Sequence, residues 1–154
     1  MSITKKIINK LIKKNLSISV AESCTGGLIA NTLTKTSGIS KIFSYGIITY
    51  SNKSKKKYLS VSQSNLIKYG AVSREVAEDM INGLYKNEKT TICISTTGIA
   101  GPNGGTKVKP VGLVYIGIKI KKNNYVFQKI YKGNRLDIQK KTRDFIFRKI
   151  NQLI

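Results

Sequence analysis

The sequence predicts one three-layer α/β/α domain built on a mixed β-sheet, and three observations carry that expectation. Strand-like runs alternate with segments of helical apolar spacing, two β-rich runs near the C-terminus are joined by a short turn, and no repeat or long linker interrupts the 154 residues. The alternation puts helices on both sides of parallel strands, and the closing hairpin adds an antiparallel pair. With 40% hydrophobic residues, the chain has the size and the core-forming content of a single domain spanning 1–154.

The elements follow in order. Ile3, Ile7, Ile8, Leu11 and Ile12 recur at helical spacing within 1–15, and 16–21 then alternates apolar residues with serine, as a strand does. Leu28, Ile29 and Leu33 mark a helix over 27–36 that Ser37-Gly38 stops. Residues 42–50 are rich in β-branched and aromatic residues, a strand interrupted at Gly46, where backbone or ligand is expected to approach closely. Ser73 caps a helix whose stripe of Val76, Ala77, Met80, Ile81 and Leu84 reads as core, with Glu75 in its first turn. A strand over 90–97 runs into the glycine-rich turn 97–105, and strands over 111–120 and 125–131 flank a Lys-Lys-Asn-Asn turn. Ile138, Phe145, Ile146 and Ile150 define a last helix over 137–154.

Composition excludes whole classes of chemistry. There is no histidine, so Ser-His-Asp and Cys-His catalysis are ruled out and the commonest metal ligand is missing. Of the seven carboxylates, Glu75, Glu78 and Asp79 share one helix surface and read as solvated charge, leaving Ser, Thr, Tyr, Lys or Cys for any catalysis. The net charge of +21 would ordinarily point to a polyanion. Its make-up argues otherwise: 24 Lys against 4 Arg, with abundant Ile and Asn, is the bias of an AT-rich coding sequence, and no nucleic-acid fold signature accompanies it. Cys24 and Cys93 lack paired-motif spacing and read as free thiols. No apolar run approaches the length of a membrane span and 1–15 lacks a signal-peptide core, so a cytoplasmic chain without a membrane partner is expected.

The residues that could carry chemistry gather in two turns. Ala21-Glu22-Ser23-Cys24-Thr25-Gly26-Gly27 follows a strand and opens a helix, and Gly26 and Gly27 let backbone N–H groups approach a ligand at the helix's positive end. Ser23 is then either a nucleophile or a helix cap; Cys24, with no histidine beside it, reads as a small buried hydrophobe. A serine needs a base, and without histidine the candidate is a lysine of lowered pKa from Tyr50-Ser51-Asn52-Lys53-Ser54-Lys55. Crowding among Lys53, Lys55, Lys56 and Lys57 would lower it; the competing reading is a solvated basic turn. Ser54 to Lys57 matches Ser-x-x-Lys without companion motifs. The 101–105 loop lacks the closing Gly-Lys-Ser/Thr of a nucleotide P-loop, which excludes an ATPase of that type, and Arg135 before the last helix suits a phosphate.

Taken together, 21–27, 49–52, Gly70-Ala71-Val72-Ser73, 97–105, Lys109-Pro110-Val111-Gly112 and Gly133-Asn134-Arg135 resemble the CinA family in order and spacing. The resemblance covers nearly the whole chain and corresponds to the family's C-terminal, nicotinamide-nucleotide amidase domain without the larger N-terminal domain many members carry. It implies deamidation of nicotinamide mononucleotide to nicotinate mononucleotide and ammonia, with no metal or other cofactor. By motif, Ser23 is the implied nucleophile, Lys55 the base and Tyr50 the residue positioning them. Backbone N–H groups of Thr25, Gly26 and Gly27 would bind the oxyanion, Thr97 and the loop with Gly101 would line the pocket, and Arg135 would meet the phosphate. Two departures stand out: Gln139 where members often have a second basic residue, and Val108 in place of an acidic one. The resemblance is compatible with a homodimer. Three neighbouring lysines, 53, 55 and 56, leave the base open on physical grounds, and the competing class is a non-catalytic protein that binds a nucleotide in this cleft or nucleic acid on its basic surface.

Overall fold

The computed structural model describes residues 1–154. Ser2 caps α1 (Ile3–Lys13) by accepting from the Lys5 N–H, and Ile7, Ile8 and Leu11 turn inward. Next comes β1 (Ile18–Glu22), buried along its whole length rather than on one face. It is an inner strand, flanked in parallel by β2 (Phe43–Ile48) and β3 (Ile92–Gly98), with helices covering both sheet faces. Its serine therefore needs a partner, and Ser19 shares a 2.7 Å hydrogen bond with Thr90.

β4 (Leu113–Ile120) and β5 (Asn123–Ile130) continue the sheet antiparallel, giving the order β2-β1-β3-β4-β5, a mixed sheet. The closing turn is shorter than the four residues expected. Asn123 and Asn124 already pair with Ile120 and Lys119, so Lys121 and Lys122 alone make the turn, Lys121 at φ +56°.

Helices α1, α2 (Leu28–Thr34) and α6 (Arg135–Leu153) cover one face, where Ile18 and Val20 of β1 join a cluster of 20 buried apolar residues. Helices α3 (Asn52–Leu59), α4 (Gln63–Tyr69) and α5 (Arg74–Asn87) cover the other, where Ala21 and Cys93 join a cluster of nine. Strands β1 and β3 thus feed both clusters with period two, and each buried aliphatic side chain contributes about 1.5–3 kcal/mol. The three-layer expectation holds. Both cysteines are free and buried, and no helix is long and apolar enough to cross a membrane.

Two helices escaped the sequence reading. The 50–55 stretch, read as the close of a strand with a solvated basic turn as the competing reading, runs into α3 from Asn52, and α4 was not anticipated at all. Lysine-rich α3 buries only Lys55 and Leu59, so it has no apolar stripe to recognise; its signal is the reciprocal cap between Ser51 and Ser54. That cap occupies the Ser54 hydroxyl, and Lys57 is exposed, so the Ser-x-x-Lys match forms no site. Gly46 also differs from expectation: a Cβ there would meet Val20 Cγ2 at 3.0 Å and Phe43 Cζ at 3.1 Å, so side-chain packing rather than a ligand accounts for it. Gly83 has a larger consequence. A Cβ on this α5 residue would lie 2.0 Å from the Leu59 carbonyl oxygen, so its absence lets the end of α3 seat on α5.

Candidate active site

Chain direction reverses its lateral course after β1, with β2 on one side and β3 on the other, and ligands of open α/β sheets bind beyond the carboxyl ends of such strands. Ser23 lies just past the end of β1, and its N–H donates to the Thr96 carbonyl at 3.1 Å. The Thr49 N–H donates to the Glu22 carbonyl at 2.9 Å, which brings the start of the 49–55 segment to the same edge.

The turn that carries Ser23 is built around Glu22, a residue the sequence reading passed over. Only 1% exposed, its carboxylate accepts from the Thr25 hydroxyl at 2.6 Å, the Ile29 N–H at 2.9 Å and the Ala30 N–H at 3.0 Å. Thr25 spends its one hydroxyl hydrogen on Glu22, so Thr96 is the donor in the 2.8 Å bond between the two threonines. A carboxylate closing a strand whose only other polar residue is Ser19 was the available sequence signal, since such a charge must find partners.

Glu22 also corrects the expected anion cradle. The first free N–H groups of α2 were to face a ligand, yet Ile29 and Ala30 already serve an internal carboxylate. Gly26 N–H is committed as well, to the Ser23 carbonyl at 3.1 Å. With Gly26 at φ +56° and Gly27 at φ +101°, the turn leaves the N–H groups of Cys24, Thr25 and Gly27 without partners in the protein. Those three are the donors an oxyanion could use.

Lys55 reaches this turn from the first full turn of α3. Its Nζ donates to Ser23 Oγ at 3.0 Å, to the Thr49 carbonyl at 2.9 Å and to the Tyr50 carbonyl at 3.3 Å. The side chain is 1% exposed, and that burial holds its pKa below the ordinary 10.5. Crowding by neighbouring lysines is not the cause; Lys53, Lys56 and Lys57 are exposed, and Lys55 alone of the four meets the serine. Cys24 is no rival nucleophile, because burial pushes its thiol up to about 12.

Tyr50, Arg135 and Gly101 meet beside the pair. Arg135, the first residue of α6, donates to the Tyr50 hydroxyl at 2.6 Å and to the Gly101 carbonyl at 2.7 Å. Tyr50 thus touches Lys55 through its carbonyl and Arg135 through its phenol. Gln139 donates to the Cys24 carbonyl at 3.0 Å, fixing the serine turn to α6, while Val108 is 86% exposed. Thr97 is 1% exposed and gives its hydroxyl to the Ala71 carbonyl at 2.7 Å, so it braces the 70–73 loop. Of the residues singled out in the sequence, Ser23, Lys55, Tyr50, Gly101 and Arg135 are linked by hydrogen bonds or adjacency along this edge, and Thr25, Gly26 and Gly27 complete the turn.

The fold and this edge define a class: single α/β domains that pair a serine with a buried lysine on a glycine-rich turn. The chain matches the CinA C-terminal domain over residues 1–154. It belongs to the CinA family. Among curated relatives, a CinA-like protein of Fusobacterium nucleatum is 56% identical over 129 residues, covering 84% of this chain and 31% of that protein. The chain spans about a third of the length of the curated relatives it matches. The crystal structure of competence/damage inducible protein CihA from Agrobacterium tumefaciens superposes with a TM-score of 0.93 at 34% identity, covering 99% of each chain. A competence-damaged protein (CinA) superfamily protein from Escherichia coli superposes with a TM-score of 0.93 at 33% identity, covering 98% of this chain and 88% of that one.

Proposed function

We propose that this chain is an amidase that deamidates nicotinamide mononucleotide through a Ser23–Lys55 pair. The observation that carries the reading is the 3.0 Å contact between Lys55 Nζ and Ser23 Oγ, with the lysine buried and its pKa lowered. As an ammonium, Lys55 has three donors and three acceptors around it. As a neutral amine it keeps two N–H groups for the carbonyls of Thr49 and Tyr50, and its lone pair points at Ser23.

In that state Lys55 takes the serine proton as Oγ attacks the carboxamide carbon. The oxyanion that forms is met by unpaired N–H groups of Cys24, Thr25 and Gly27, donors already fixed before the reaction begins. Lys55 returns the proton to the amide nitrogen, the C–N bond breaks, and ammonia leaves an ester on Ser23. A water deprotonated by Lys55 then cleaves the ester to the carboxylate and restores the serine. Arg135 uses two of its five N–H groups within the protein, and the others suit the substrate phosphate.

Ammonia release from nicotinamide mononucleotide by the purified chain is the test. Turnover that disappears in Ser23→Ala supports the reading, and full turnover in that variant rejects it.

A further inference from the structure

The largest cavity of the chain, ≈470 Å³, does not include Ser23 or Lys55. It lies where the first turn of α1 meets the far end of α2 and the middle of α6, away from the ends of α2 and α6 that adjoin the serine turn. Its size is that of a small-molecule site.

Its wall is cationic. Lys5, Lys35, Arg143 and Arg148 line it with a single carboxylate, Asp144, and Arg143 engages that carboxylate at 2.8 Å. The eleven-residue α1 has no acid in its first turn. Ser2 satisfies the N–H groups of Lys5 and Lys6, which leaves those of Ile3 and Thr4 without intrahelical partners.

A helix start among lysines is ordinary on so basic a chain; Thr36 sets this one apart. It is 5% exposed, lines the cavity, and its hydroxyl makes no hydrogen bond in the protein. Its oxygen is not fully enclosed, so it remains reachable from the cavity. Thr32, on the same wall, instead donates to the Leu28 carbonyl at 2.7 Å. The Thr36 hydroxyl is thus a donor kept free, opening into a cationic chamber whose charge is not balanced from within.

We propose that this cavity binds the phosphate group of a small phosphomonoester, with the Thr36 hydroxyl and the N–H groups of Ile3 and Thr4 as hydrogen-bond donors. Lys5, Lys35 and Arg148 supply the balancing charge, and Ile3 and Ile8 offer an apolar wall to the rest of the molecule. The site is independent of the amidase reading.

The test is amide-resolved NMR titration at fixed ionic strength with inorganic phosphate and, separately, glucose 6-phosphate. Saturable shifts at Ile3, Thr4 and Thr36 are expected with both probes, the ester binding at least as tightly. Thr36→Val changes no charge, so general attraction to the basic surface survives while the specific donor is lost; affinity should fall about tenfold, the worth of one hydrogen bond to a charged group. Thr36→Ser should bind as the unaltered chain does, which keeps the test decisive if the valine variant folds poorly. Arg135→Gln should leave these shifts unchanged. Non-saturable shifts, shifts confined to 23–27 and Arg135, exclusion of the ester, or equal affinity in Thr36→Val would each overturn the proposal.

Discussion

Glu22 and Thr25 are joined side chain to side chain at 2.6 Å, and through that bond a buried carboxylate sets the shape of the turn between them. The same carboxylate holds the Ile29 and Ala30 N–H groups, so Ser23 sits on a loop pinned from beneath by its own neighbour. In Glu22→Gln, one oxygen becomes an NH₂ group that faces an N–H or the Thr25 hydroxyl. Loss of about 1–3 kcal/mol of stability is expected for the buried donor left unmade. Urea unfolding measures that loss, and an amidase assay on the folded variant should show reduced turnover as the serine turn loosens. Unchanged stability would mean the carboxylate is not the organiser of the turn.

With Lys55 as the proposed base, activity should depend on pH in one direction. Burial holds its pKa below the ordinary 10.5, and only the neutral amine can accept the serine proton. kcat/KM should therefore rise with pH through the lowered pKa and level off above it. Stability follows the same sign. Between the folded pKa and 10.5 the unfolded chain binds more protons, so stability rises with pH across that window; it is fully present above 10.5 and lost as pH falls through the folded value. Lys55→Met, similar in length and uncharged, should abolish turnover by about 10²–10⁴-fold, the contribution of a positioned base, and flatten both profiles. Lys53→Ala and Lys56→Ala, at exposed positions, should leave turnover intact.

What was legible in the sequence follows from how each part is encoded. The α5 stripe from Val76 to Leu84 faces the core at every turn, and its Ser73 cap accepts from the Val76 N–H as the pattern requires. Ser23, Gly26, Gly27 and Arg135 were visible because turns and helix starts constrain residue type locally. Helix α3 was not, since its contact with the core comes down to Lys55 and Leu59, and a buried lysine looks the same in sequence as its exposed neighbours. Burial is a tertiary property: it selects Lys55 over Lys53 and Lys56, lowers its pKa, and turns the Thr97 hydroxyl toward the Ala71 carbonyl. Glu22 was missed for the related reason that its partners, Ile29 and Ala30, come from helix N–H groups that no residue type announces.

Gly83 sets the seat of the helix that delivers Lys55. Alanine ordinarily favours a helix interior by about 1 kcal/mol over glycine. Here its Cβ would lie 2.0 Å from the Leu59 carbonyl oxygen, and backbone on backbone cannot yield without moving α3. Gly83→Ala should lose about 1–3 kcal/mol, as overpacked cores do, and lower turnover as Lys55 Nζ shifts from Ser23. Thermal unfolding with the amidase assay checks both, and a stabilised, fully active variant would show that α3 and α5 are not locked at this point.

Under the proposed function, Arg135 should separate substrate holding from chemistry. Its guanidinium ties Tyr50 to Gly101 at 2.6 and 2.7 Å, yet it makes no hydrogen bond to Ser23 or Lys55, and its remaining N–H groups are free for a phosphate. Removing it should weaken the substrate in the ground state and the transition state alike, which raises KM and leaves kcat close to its starting value. Arg135→Gln should raise KM for nicotinamide mononucleotide by about tenfold or more, the loss of a charge-assisted hydrogen bond. The dephosphorylated nucleoside is the control: without a phosphate to grip, its kcat/KM should be nearly the same in the variant and the unaltered chain. Equal losses for nucleotide and nucleoside would place Arg135 in the support of the Tyr50 segment rather than in phosphate recognition, because the only interaction then removed is the one the two substrates share.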